Sequence, residues 1–156
     1  MKTFNVTNLN SLTNGTRFLS GCYNITSFSY NLSNLTNGSY MFNGCTALTT
    51  LDVDSLAAVT NGSYMFSGCN KLTTLDVDSL AGLTNGAYMF EDCTALTSVP
   101  SDFDKITTMS NMFWGCTSLQ NINCNLSNVM VGDHAFRHCY NLTSLNVTNL
   151  DNLTSG

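Results

Sequence analysis

Cysteine recurs in this chain at Cys22, Cys45, Cys69, Cys93, Cys116 and Cys139, at spacings of 23, 24, 24, 23 and 23 residues. A constant period of that size means a supersecondary unit that cannot bury its apolar face alone and must stack on its neighbours. The segment 44–66 is repeated almost residue for residue by 68–90. The fold expected is a repeat solenoid, and function is to be sought on its surfaces.

Within one unit, Leu51 and Val53 fall on one face of a short strand, with Thr50, Asp52 and Asp54 on the other. Thr60-Asn61-Gly62 is a turn signal, because Asn and Gly tolerate positive φ, and it recurs at 13–15, 36–38 and 84–86. Met65, Phe66, Cys69 and Leu72 follow at roughly helical spacing, which predicts a short helical or 3-10 corner. Each coil thus reads as strand, turn and corner, with strands forming a parallel β-sheet on one side. Residues 1–156 are expected to form one unit: a partial coil over 1–15, about six coils from 16, and a partial coil at the end. Val99-Pro100-Ser101 stands where the fourth strand belongs, and proline removes a ladder donor there.

Ten acids against five bases leave a formal charge of −5, which offers no footprint for nucleic acid or anionic lipid. The start lacks an apolar signal-peptide core, and no run is long enough to span a membrane. The expected setting is the cytoplasm or a virus or phage particle, with the cell surface reached only by a non-classical route. The cysteine column shares the phase of the leucines and is expected to be core thiols rather than a disulfide framework. Asp133, His134, His138 and Cys139 resemble a metal cluster only superficially, since Cys139 belongs to that column. No nucleophile elbow, phosphate loop or repeated Cys-x-x-Cys occurs, so no catalytic residue, metal or cofactor is expected.

Three surfaces stand out. The strand face gathers Asp52, Asp54, Asp76, Asp78 and Asp102, half of all the acids, and like charges on adjacent strands repel. A second column holds Arg17, Tyr40, Tyr64, Tyr88, Asn111 and His134, whose tyrosines form an aromatic edge. Trp114 occupies a phase taken elsewhere by polar residues, as befits an exposed binding anchor. The terminal strand segments around Phe4 and Val6, and around Leu145 and Val147, keep the apolar pattern without polar capping.

The pattern Gly132-x-x-Ala135-Phe136-x-x-Cys139-x-x-Leu142-x-x-Leu145-x-Val147 resembles the BspA-like, or Treponema-type, leucine-rich repeat. Met109-x-x-Met112-Phe113-x-Gly115-Cys116 and Tyr64-Met65-Phe66-x-Gly68-Cys69 resemble its mycoplasma-surface-protein relatives. The resemblance implies a curved, right-handed leucine-rich-repeat coil used for surface attachment and protein binding. The expected function is a non-enzymatic binding or adhesion module that meets a protein or glycan through its strand face and tyrosine edge. The alternative is a structural subunit of a filament, fibre or virus particle, a homo-oligomer joined end to end through Phe4, Val6, Leu145 and Val147.

Overall fold

The computed structural model describes residues 7–53, 55–75, 80–100, 103–148 and 150–156. Four strands are formed among them: β1 (Ser27–Ser29), β2 (Thr50–Asp52), β3 (Asn121–Asn125) and β4 (Ser144–Thr148). β1 pairs with β2 and β3 with β4, both in parallel, and Ser27 meets Thr50 as Asn121 meets Ser144. Each pair is therefore offset by one repeat. Alternation follows from the pleat: Phe28, Leu51, Ile122 and Cys124 point inward and are buried, while Ser27, Ser29, Thr50, Asp52, Asn121 and Asn123 are exposed. Among the described residues the strand side is a set of short parallel pairs, with an isolated Thr74–Ser98 bridge between them.

The continuous ladder lies at the turns. Parallel bridges link Asn14, Asn37, Asn61, Asn85, Thr108, Val131 and Ser155 in succession, one per coil. In the first four coils the asparagine Oδ1 also accepts the amide two residues on, at 3.1 Å, which fixes the turn. The glycine after it is required by close approach. A Cβ on Gly38 would lie 2.8 Å from the Met65 sulfur of the next coil.

The corner differs from the expected helix, and no helix forms there among the described residues. Its amides alternate between two partners. Met41 and Cys45 close i−3 turns onto Gly38 and Phe42 at 2.9 and 3.0 Å. Tyr40, Phe42 and Gly44 instead donate to Ser63, Met65 and Ser67 of the next coil, at 2.8–2.9 Å. Since alternate donors go to the neighbour, the consecutive bonding a helix needs cannot develop. The backbone also turns left-handed twice, at Tyr40 (φ 57) and Gly44 (φ 72), and equivalent coils repeat this.

One cluster of buried side chains runs from Leu19 to Ala135. Along its axis Phe42, Phe66, Phe90, Phe113 and Phe136 stack ring on ring, with centroids 5.5–5.7 Å apart and planes within 8°. At the β4 coil the core lies open: Leu145, Leu150 and Leu153 are 45%, 42% and 37% exposed. They flank a cavity of about 380 Å³ also lined by Met109, Val129 and Phe136.

Candidate binding surfaces

Of the strand-face acids, Asp52 is described. It stands exposed at the end of β2, and its carboxylate accepts the Ser29 hydroxyl of the preceding coil at 3.0 Å. Asp54, Asp76, Asp78 and Asp102 lie outside the described residues, as do Phe4 and Val6 at the expected N-terminal contact. Beside Asp52 a cleft of about 260 Å³ opens between two coils, lined by Thr49, Thr50, Leu51, Thr73 and Thr74. The sequence places Thr50 and Thr74 in the outward polar columns of this face, while Thr49 and Thr73 were not singled out.

The tyrosine column is a tight stack. Tyr40, Tyr64 and Tyr88 lie at centroid distances of 4.5 and 4.4 Å with planes within 8°, and the Arg17 guanidinium covers Tyr40 at 4.8 Å. The inner ring is therefore covered on both faces, which leaves only its rim to meet solvent. All three tyrosines, with Arg17, Asn111 and His134 in the same phase, have φ between 54 and 58°. Burial and the flanking phenols push the Tyr64 hydroxyl up to about 12.

Trp114 is half-buried and packs edge-on against His138 of the next coil, at 5.3 Å and 78°. His138 in turn exchanges a 2.8 Å hydrogen bond between Nδ1 and the Tyr140 hydroxyl. Trp114, His138 and Tyr140 thus make a second aromatic patch, one coil away from the tyrosine stack. Tyr140 was not singled out from the sequence, although it follows a column cysteine as Tyr23 does.

The buried cysteines of the column are enclosed core groups. Thiols of Cys45, Cys69, Cys93, Cys116 and Cys139 each donate to a carbonyl of the preceding coil at 3.1–3.3 Å. All seven are free. Burial, with Cys22 adding to it, pushes Cys45 up to about 12, and burial raises Cys139 to about 11. Cys93 is driven well above the ordinary range, first by burial and then by its column neighbours. A protonated, enclosed thiol is neither nucleophile nor metal ligand. Among the described residues no group of three or more His, Cys, Asp or Glu could hold a metal ion, and no helix is long and apolar enough to cross a membrane.

These features coincide with known repeats. Residues 59–155 match the family model described as BspA type leucine rich repeat region, in six copies. Residues 1–103 match one described as Mycoplasma protein of unknown function, DUF285. A leucine-rich cell surface protein from Faecalibacterium prausnitzii A2-165 is similar in structure, with a TM-score of 0.62 and 19% identity over 87% of this chain. A leucine-rich repeat protein from Bacteroides ovatus gives 0.52 and 22% identity over 84%. At such identities the likeness is one of fold. The chain spans 42% and 39% of the lengths of these two proteins. Comparison with curated proteins finds no match. With its period, its stacked turns and its family match over more than half its length, this chain belongs to the BspA-type leucine-rich repeat family.

Proposed function

We propose that this chain is a non-enzymatic binding module that holds a protein partner against its strand face, as part of a surface-attachment protein. The observation that carries this reading is the outward row on the strands: Ser27, Ser29, Thr50, Asp52, Asn121, Asn123 and Asn146 are exposed polar groups on a backbone held by parallel pairing. A rigid scaffold presenting polar side chains at fixed spacing loses little entropy on binding. The acids in this phase, Asp52, Asp54, Asp76, Asp78 and Asp102, select a basic surface. A protein partner is favoured over a glycan because the tyrosine faces on which a sugar ring would stack are turned toward one another. Tyr40, Tyr64, Tyr88 and the Trp114 patch then serve as rim contacts. Captured partners should be lost by an Asp52→Asn, Asp76→Asn, Asp78→Asn triple variant and retained by Tyr64→Ser. Undiminished capture by the triple variant rejects the strand face.

A second reading rests on the open core at Leu145, Leu150 and Leu153. An apolar coil end of this kind accepts a further coil, so end-to-end association of two molecules follows if that coil comes from another copy.

A further inference from the structure

β2 pairs with β1 on one side, and on its other side no strand is paired with it among the described residues. Thr74 of the next coil bridges forward to Ser98. The missing rung can be located residue by residue. At this phase a threonine gives both its amide and its hydroxyl to the carbonyl of the coil before: Thr49 to Thr26 at 2.9 and 3.0 Å, Thr97 to Thr73 at 2.9 and 3.1 Å, Thr143 to Gln120 at 2.9 and 3.2 Å. Thr73 makes neither bond to Thr49, and Gln120 likewise gives no amide to Thr97, so the ladder at this phase is interrupted twice among the described residues. The 260 Å³ cleft lies at the first break. Residues 49–54 and 73–78 are both Thr-Thr-Leu-Asp-Val-Asp, so in-register pairing would set like carboxylates opposite one another.

We infer that this break receives an extended peptide segment bearing lysine or arginine, which pairs with the open edge of β2 and lays its basic side chain on Asp52. The site lies within the strand face proposed above and depends on that reading. An open edge needs donors and acceptors in alternation, which an extended backbone supplies and a compact ligand does not. Asp52 has one carboxylate oxygen held by Ser29 at 3.0 Å, leaving the other for a cation. Residues 49–78 carry four acids against one base, Lys71, so the local charge selects a basic segment over an acidic one.

The test is a titration of the ¹⁵N-labelled chain with an acetylated, amidated (Lys-Val)₃ peptide, beside (Glu-Val)₃ and a (Lys-Val)₃ N-methylated at alternate residues. The lysine peptide is expected to shift the amides of Thr50, Thr73 and Thr74 and to slow hydrogen exchange at Thr73 about tenfold on saturation. Asp52→Asn should weaken it roughly three- to fivefold, as for an exposed ion pair, and N-methylation should abolish binding. Equal binding of the glutamate or N-methylated peptide overturns the inference, as do shifts confined to Trp114 and Tyr140 or unchanged exchange at Thr73. If the triple aspartate variant loses its captured partner while Thr73 stays unaffected, the break is rejected and the strand face stands.

Discussion

Tyr64 sits between two rings, 4.5 Å from Tyr40 and 4.4 Å from Tyr88, on a backbone with φ of 56°. Truncation removes two stacked pairs, each worth ~0.5–1.5 kcal/mol beyond simple burial. Tyr64→Ala should therefore cost ~2–3 kcal/mol once the half-buried ring area is included. Alanine keeps a Cβ and with it the left-handed penalty of ~1–2 kcal/mol. Tyr64→Gly relieves that penalty but loses ~0.5–1 kcal/mol to the greater freedom of the unfolded chain. The glycine variant is thus expected to be more stable than the alanine variant by ~0.5–1 kcal/mol, the reverse of the order in helices and strands. Urea unfolding followed by far-ultraviolet circular dichroism gives both values from the midpoints at constant slope. An alanine variant as stable as the glycine variant, or more so, would falsify the left-handed stack as the source of this ordering.

Alkaline pH should unfold the protein through its thiols. Cys45, ordinarily near 9.0, is pushed up to about 12 in the folded chain by burial, and Cys124 and Cys139 rise to about 11. A raised folded value means the contribution is intact below pH 9 and is lost as pH climbs toward 11–12, at up to ~1.4 kcal/mol per pH unit for each thiol. Melting temperature should hold from pH 6 to 8 and fall above 9, and Cys45→Ala should flatten the fall; an identical profile in that variant contradicts the assignment. Gly38→Ala should cost ~1–3 kcal/mol by pushing a methyl into the Met65 thioether, and a Gly38→Ala, Met65→Ala double variant should lose less than the sum of its parts in the same urea assay. Light scattering across a concentration series should report association through the open coil end, reduced by Leu150→Lys with Leu153→Lys; a wild type that stays monomeric at high concentration removes the end-to-end reading.

The coil phase was legible in the sequence because burial in a repeat array is periodic, and a period survives without knowledge of what lies opposite. Leu48, Phe66 and Cys69 are wholly enclosed for that reason. The strand alternation at β2 and the presence of the asparagine turns were readable on the same ground, each being a property of neighbouring residues, although the positive φ expected of the Asn-Gly pair falls instead on Tyr40, Tyr64 and Tyr88 after it. What the tertiary structure decided is where backbone donors go. The spacing of Met65, Phe66 and Cys69 fits a helical corner, yet alternate amides there are drawn to the next coil, and no local pattern encodes that choice. The tyrosine column was visible as a column, but the covering of its rings depends on the stacking distance set by the coils. The break beside Asp52 is the clearest case. Two identical coils would be expected to pair best, and yet Thr73 gives no amide to Thr49, as Gln120 gives none to Thr97, while Thr49, Thr97 and Thr143 bond to the coil before; which rungs close is not written in the repeat.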